Sequence, residues 1–339
     1  MTQYFCTYFD SHYLPRGLSL YLSLREQCPS FQLWVLCMDT PALDCLKHLA
    51  LPEVIPIGLE ELESLDGQLL AVKGSRSRIE YYFTCTPSLP LHILRKWPET
   101  PMVSYLDADL FFYQDPAPLF REIDGHSIAL IEHRYAHNLQ HRFKYGRFNV
   151  GWLSFRNDQH GLGCLQWWRE RCLEWCYDRA DQDRYADQKY LDLWPGLFSN
   201  IHILQHKGAN LAPWNISNYS ISYHSKRVWV DEQPLIFFHF HGFEQIASWL
   251  YDPHFAGCRA KVTKEIKHGI FAPYIRALIS AGEMNCASRS TRKLPSGIRI
   301  ELNRIPYSQR LWTLVDRALC SVLSTVKGSY ILVRNGHVL

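Results

Sequence analysis

Short apolar runs alternate with longer segments whose apolar positions recur every three or four residues. That alternation predicts strands interleaved with helices, an α/β chain. Tyr4–Tyr8, Phe31–Cys37 and Glu53–Ile57 read as strands, and Leu14–Glu26 as a helix with Leu18, Leu22 and Arg25 at helical spacing. Asp39, Thr40 and Pro41 mark a helix start. Ser77–Leu94 predicts another helix, interrupted around Pro87 and Pro90 because proline removes a backbone donor. A strand ending at Leu106 follows, then a short helix from Pro116 to Phe120 and strands at Ser127–Ile131 and Asn149–Phe155. The last of these carries Gly151, and a glycine inside a strand marks a close approach. Gly163–Tyr177 and Arg184–Leu193 read as helices, and Ile201–Leu204, Ser222–Val230 and Leu235–Phe240 as strands. From Thr263 the pattern is helical, with Leu311, Leu314, Val315, Ala318, Leu319 and Val322 forming the apolar face of an amphipathic helix over Ser308–Val326. The expected division is a large α/β domain over 1–250 and a mainly helical region over 251–339.

With 339 residues, 47% of them apolar, 14% aromatic and 20% charged, the composition is that of a folded globular protein. The net charge of +3 conceals an asymmetry: from Asn285 onward nine Lys and Arg stand against two acids, a net +7. A solvated helix face would account for it, as would contact with an anionic membrane surface or an anionic acceptor. No nucleic-acid module is recognisable, so no nucleic-acid partner is expected. Eleven scattered cysteines do not form a disulfide framework, and without paired C-x-x-C clusters they read as buried thiols in a reducing compartment. The first residues resemble no leader, and no apolar run approaches a bilayer crossing. The expectation is a cytoplasmic protein, peripheral on the inner face of the membrane if the basic tail rests there.

Two carboxylates, Asp107 and Asp109, follow the strand that ends at Leu106. Residues i and i+2 of an extended segment share a side, and like charges so close resist joint ionisation unless a cation separates them. Asp-x-Asp also occurs in ordinary polar turns, but at the end of a buried strand it points to a divalent ion with open positions for a diphosphate. A second polar cluster, His239 and His241, closes the apolar run Leu235–Phe238 and supplies imidazole ligands suited to manganese or zinc. Asp187 and Gln188 stand where a helix is expected to begin, so Asp187 reads as a helix cap or, near a reacting carbon, as a base or electrostatic stabiliser. Lys73, Arg76 and Arg78 are candidates for gripping phosphate, with a solvated helix entrance as the plain alternative. His133, His137 and His141 recur every fourth residue, as on one helix face, although with Arg134, Tyr135, Asn138 and Arg142 they read more simply as a polar loop over a substrate.

Tyr105–Leu110, Phe148–Trp152, Asp187–Gln188 and His239–Gly242, in that order, resemble nucleotide-sugar glycosyltransferases of the GT-A fold. Family 8, which includes glycogenin and bacterial lipopolysaccharide galactosyltransferases, or a sister family is the nearest likeness. The resemblance spans roughly residues 3–245 and implies a Rossmann-like mixed sheet flanked by helices, with a helical C-terminal appendage. It implies a hexosyltransferase that uses a nucleoside-diphosphate sugar, such as a UDP-sugar, with Mn2+ or Mg2+. The acceptor would be a glycan or glycolipid in surface polysaccharide synthesis. By motif, Asp107, Asp109 and His239 would hold the metal, with His241 as the alternative histidine. Thr7, Arg78, Ala108, Asn149, Gly151 and Gly242 would join Asp107 around the donor, and Asp187 and Gln188 would face the anomeric carbon. Gly208–Asn215 is not a family 8 signature, and in a sister family of the same fold its Asn210, Trp214 and Asn215 would help build the donor pocket. Val150 stands where that family has alanine, and Glu244–Trp249 departs from its K-P-W signature. Retaining and inverting chemistry both fit Asp187. Two other readings are a phosphotransferase of the haloacid dehalogenase type, whose strand also ends in Asp-x-Asp, and a catalytically silent glycan-binding protein of the same fold.

Overall fold

Aromatic and branched residues of the N-terminal two thirds pair into one seven-stranded mixed sheet in the computed structural model, which describes residues 2–258, 260–284, 330–334 and 336–339. Its strands are β1 (Gln3–Phe9), β2 (Phe31–Cys37), β3 (Val54–Gly58), β4 (Met102–Leu106), β6 (Ile128–Glu132), β7 (Phe148–Arg156) and β8 (Ile201–Leu204), while β5 (Leu110–Phe112) lies outside it. The order across the sheet is β3-β2-β1-β4-β7-β6-β8. β1, β2, β3 and β4 run parallel, whereas β7 is antiparallel to both β4 and β6. Chain order reverses beside β1, between β2 and β4. Such a switch opens a crevice at the carboxyl ends of the strands, where α/β proteins place ligands.

Side chains alternate across the sheet, so each face builds its own core. Phe5, Leu33, Val35, Leu106 and Trp152 lie beneath the helices Leu14–Gln27 and Thr40–Leu49. Cys6, Trp34, Tyr105, Leu153 and Phe155 lie beneath the helices Arg78–Lys96 and Gln159–Glu174. A third, aromatic-rich cluster joins Phe111, Phe238, Phe240, Phe271 and Tyr274 to Ile331 and Val333.

Three expected elements differ. The helix Arg78–Lys96 runs unbroken through Pro87 and Pro90. Ser77 and Glu80 close its first turn as a capping box, and its buried face from Tyr81 to Leu94 outweighs the two lost backbone donors. Ser222–Val230 is a hairpin, Ile221–His224 against Arg227–Val230, whose turn residues Ser225 and Lys226 both adopt positive φ. Arg184–Leu193 is not an α-helix. Ala186 takes a left-handed conformation and a short 3₁₀ turn, Lys189–Leu193, follows Gln188, so Asp187 gains no α-helix macrodipole.

The expected boundary at residue 250 falls within a hairpin, Glu244–Ala247 against Leu250–Asp252, and Ile331–Arg334 adds to its second strand. The helix Ala272–Met284 follows. The basic stretch from Asn285 and the expected helix Ser308–Val326 lie outside the described residues, Arg334 excepted. No helix among the described residues is long and apolar enough to cross a membrane. All nine cysteines among them are buried, and none of the nine forms a disulfide.

Candidate functional site

Asp107 continues β4 at the crevice, its N–H donating to the carbonyl of Gly151 in β7 (3.2 Å). The chain then turns into β5, which pairs antiparallel with Phe237–His239 and sets His239 opposite Leu110. The Phe240 N–H also donates to the Asp109 carbonyl (2.9 Å). This ladder brings a residue 130 positions away against the acidic turn. His239 Nε2 lies 3.1 Å from Asp109 Oδ1 and 3.6 Å from Asp107 Oδ2. One donor atom each from Asp109, His239 and His241 falls within a 4.8 Å cluster.

The two carboxyls diverge electrostatically. Burial pushes Asp107 up to about 6; His239 opposes that rise and the Asp109 charge adds to it. Burial would raise Asp109 as well, but His239, by charge and hydrogen bond, holds it down to about 2. Burial would lower His239, yet the paired carboxylates, Asp109 foremost, carry it above its ordinary value. His241, exposed at the crevice, is lowered from its ordinary value by desolvation from the groups around it, with the charge of His239 acting the same way. An oxygen and two imidazole nitrogens, with a second carboxyl beside them, fit a divalent transition ion and leave positions open.

Gly151 permits this packing. A Cβ there would lie 2.5 Å from Asn149 Oδ1 and 2.9 Å from the His239 ring. Trp214 packs edge-on against His239 and His241, with ring centroids 5.0 and 5.7 Å apart.

Two hollows meet at this point. One, about 440 Å³, is lined by Tyr8, Asp10, Tyr13, Tyr82, Ala108 and Asp109. The other, about 300 Å³, is lined by His133, Tyr145, Asn149, Asp187, Gln188 and Trp214. Asp107, His239 and His241 line both. Asp187 is pushed up to about 7 by burial and by the Asp107 charge, against a hydrogen bond from Thr86. A larger hollow of about 690 Å³ surrounds the Asp66–Arg169 pair and contains none of these groups.

Of the residues singled out in the sequence, Asp107, Ala108, Asp109, Asn149, Asp187, Gln188, Trp214, His239 and His241 line one hollow or both. Thr7, Gly151, Asn210 and Gly242 line neither. Thr7 is wholly buried in β1. Asn210 is buried and donates to the Glu132 carbonyl (3.1 Å), tying its loop to β6. Gly242 has φ +73° and lies against His254, which serves the turn after His241. Arg78 ion-pairs with Asp10 and donates to the Tyr82 hydroxyl (2.8 Å), so it orders one wall without lining it. Of the three spaced histidines only His133 is buried at the site, while His137 and His141 are exposed on a 3₁₀ segment. The sequence reading missed Tyr8, Asp10, Tyr13 and Tyr82. For Tyr8 and Asp10 the signal was present, since they end β1 as Asp107 ends β4.

No protein-family model matches the chain. It is 36% identical over 250 residues to the uncharacterized protein YfnD of Bacillus subtilis (strain 168), covering 73% of this chain and 80% of that protein. YfnF of the same strain is 32% identical over 257 residues, covering 73% and 84%. The chain belongs to the family of YfnD and YfnF. Similar solved structures include mouse xyloside xylosyltransferase 1 in its apo form (TM-score 0.45, 14% identity, 71% of this chain and 98% of that one). Another is the galactosyltransferase LgtC in complex with donor and acceptor sugar analogs (TM-score 0.48, 15% identity, 79% and 100%). Likeness at TM-scores below 0.5 decides neither activity nor substrate.

Proposed function

We propose that the protein is a metal-dependent glycosyltransferase of the GT-A type, moving a hexose from a nucleoside-diphosphate sugar, foremost a UDP-sugar, to a glycan or glycolipid. The observation that carries this reading is the cluster of Asp107, Asp109, His239 and His241 where two hollows meet. Asp107, Asp109 and His239, with His241 as the alternative histidine, would hold manganese or magnesium, which would supply the positive charge that offsets a departing diphosphate. Of the two hollows that meet there, the one of about 440 Å³, with Tyr8, Tyr13 and Tyr82, offers flat faces for a nucleobase and ribose. The smaller one takes the transferred sugar and the reacting acceptor group, with Asp187 and Gln188 beside the anomeric carbon. As a carboxylate, Asp187 stabilises the positive charge that develops at that carbon. The sequence order of the same motifs supports the reading independently. Asn149 lies in the wall of the sugar hollow, and Gly151 gives His239 the room to reach Asp109.

Calorimetric titration with UDP, with and without Mn2+, tests the proposal. Tight binding is expected only with metal, and Asp109→Ala abolishes the difference. Metal-independent UDP binding, or a metal dependence that survives Asp109→Ala, refutes it. Peripheral membrane contact belongs to the same reading: deleting residues 286–329 should release the protein from anionic liposomes at physiological salt.

A further inference from the structure

His239 can ligate a metal through Nε2 only if Nε2 carries a lone pair and the proton sits on Nδ1. A chain of hydrogen bonds behind the ring dictates that arrangement. His133 Nδ1 lies 3.2 Å from the Arg147 carbonyl, which only accepts, so His133 carries its proton on Nδ1. Its Nε2 is then an acceptor, and the group 3.2 Å away, Asn149 Nδ2, donates to it. The Asn149 amide is fixed twice more. Its Oδ1 accepts from the Gly151 N–H (3.2 Å), and its Nδ2 donates to Gln188 Oε1 (3.4 Å). Gln188 is itself oriented by donating through Nε2 to the Tyr145 carbonyl (3.0 Å). With its oxygen turned this way, Asn149 accepts from His239 Nδ1 (3.2 Å).

Three backbone groups, the carbonyls of Arg147 and Tyr145 and the N–H of Gly151, therefore decide which nitrogen of His239 faces the carboxylates. His133 is held in place independently. Its ring stacks on Tyr135 (4.5 Å, 8°), and its carbonyl accepts from Trp214 Nε1 (2.9 Å) and Asn215 Nδ2 (2.8 Å). Burial also drives His133 down to about 3, so it stays neutral and keeps the accepting nitrogen the chain requires.

We infer that His133 is a positioning residue for the metal site, setting through the Asn149 amide both the tautomer and the orientation of His239. This rests on the metal-dependent reading above. It adds a residue that touches neither carboxylate and lies 106 positions before the ligand it governs. Groups behind a metal-bound histidine typically carry 10–100-fold of the metal affinity.

The test uses the full-length protein. Mn2+ affinity is read from the electron paramagnetic resonance of free Mn2+ for wild type, His239→Ala, His133→Phe and His133→Gln. His133→Phe keeps the ring and removes the acceptor, so Mn2+ binding should weaken 10–100-fold. His133→Gln can donate to the Arg147 carbonyl and accept from Asn149, and should return affinity to within a few-fold of wild type. Equal affinities for wild type and a folded His133→Phe overturn the inference while leaving the metal site intact. Wild type that binds no Mn2+, or binding that survives His239→Ala, overturns the site itself. A measurement without variants guards against misfolding of the phenylalanine protein: long-range 1H–15N spectra of the wild type loaded with Zn2+. Protons on Nδ1 of both His133 and His239 support the chain. A proton on Nε2 of His133, or metal on Nδ1 of His239, overturns it.

Discussion

Gly151→Ala isolates the contact on which the site's geometry rests. β7 is hydrogen-bonded on both sides, Trp152 facing Leu106 of β4 and Asn149 facing Ile131 of β6, so its backbone has no direction in which to retreat. An added methyl would lie 2.5 Å from Asn149 Oδ1 and 2.9 Å from Cε1 and Nδ1 of His239, inside the ~3.5 Å of ordinary contact. The amide and the ring must therefore separate by several tenths of an ångström. Overpacking of this kind costs about 1–3 kcal/mol, and the lost Asn149–His239 bond about 1 more. Urea denaturation should show the variant destabilised by about 2–4 kcal/mol, with Mn2+ affinity down by 10-fold or more as His239 leaves Asp109. Gly163→Ala is the control. It lies in the helix Gln159–Glu174 with open space around its missing Cβ, and should stabilise by about 0.4–1 kcal/mol. If Gly151→Ala falls within about 0.5 kcal/mol of wild type and binds Mn2+ unchanged, the packing argument fails.

Asp187, pushed up to about 7 from 3.8, favours the fold while protonated. That contribution is complete below about pH 4 and is lost as pH rises through about 7, on the order of 4 kcal/mol in all. The urea midpoint of wild type should therefore fall relative to that of Asp187→Asn across this window, and parallel pH profiles would refute the assignment. Buried Arg169 pairs with the partly buried Asp66, its Nε donating to Asp66 Oδ2 at 2.8 Å. Asp66 is only partly buried and keeps the Leu69 N–H and the Ser88 hydroxyl, so Arg169→Met should cost about 1–3 kcal/mol in chemical denaturation; a loss below about 0.5 kcal/mol would show the pair to be dispensable. Asp107 at about 6 and a His239 raised above its ordinary value must shed protons to receive a cation. Mn2+ binding should strengthen between about pH 5.5 and 7.5, with proton release visible as a buffer-dependent heat in calorimetry; pH-independent binding without proton release would contradict it.

Strand positions were legible because each central strand is a short, nearly continuous apolar run, and Phe31–Cys37 coincides with its predicted limits. The acidic turn was legible for a related reason, since charged residues directly after such a run have few other uses. Helix continuity through Pro87 and Pro90 was not, because it depends on burial against the sheet, which no local pattern reports. The turn at Ser225 and Lys226 escaped because neither residue advertises a positive φ as glycine or asparagine would. Asp187 was placed at a helix start, and its real surroundings come from Thr86 on another element and Asp107 on another strand. Thr7, Asn210 and Gly242 are expected around the donor but line neither hollow: Thr7 is packed inside β1, Asn210 tethers its loop to β6, and Gly242 serves a turn. The chain from His133 through Asn149 to His239 spans separations of 16 and 90 residues, and only strand register makes it visible.

That register also explains why so many phenylalanines surround a polar site. In the segment 237–241 successive side chains face opposite ways. Phe237 stacks on Trp152 in the main core (5.5 Å), while Phe238 and Phe240 enter the aromatic cluster with Phe271 and Tyr274. His239 and His241 are left on the side of the carboxylates. A slip of one residue against β5 would carry phenylalanine to the carboxylates and bury two imidazoles among aromatic rings. Each displaced phenylalanine would forfeit about 1.5–3 kcal/mol of burial. The apolar alternates thus act as the clamp that holds two histidines at their ligating positions. The hairpin Glu244–Asp252, extended by Ile331–Arg334, contributes to that clamp through Tyr251 and Ile331 of the same cluster, so the strand Ile331–Arg334 supports the geometry of a site it does not touch.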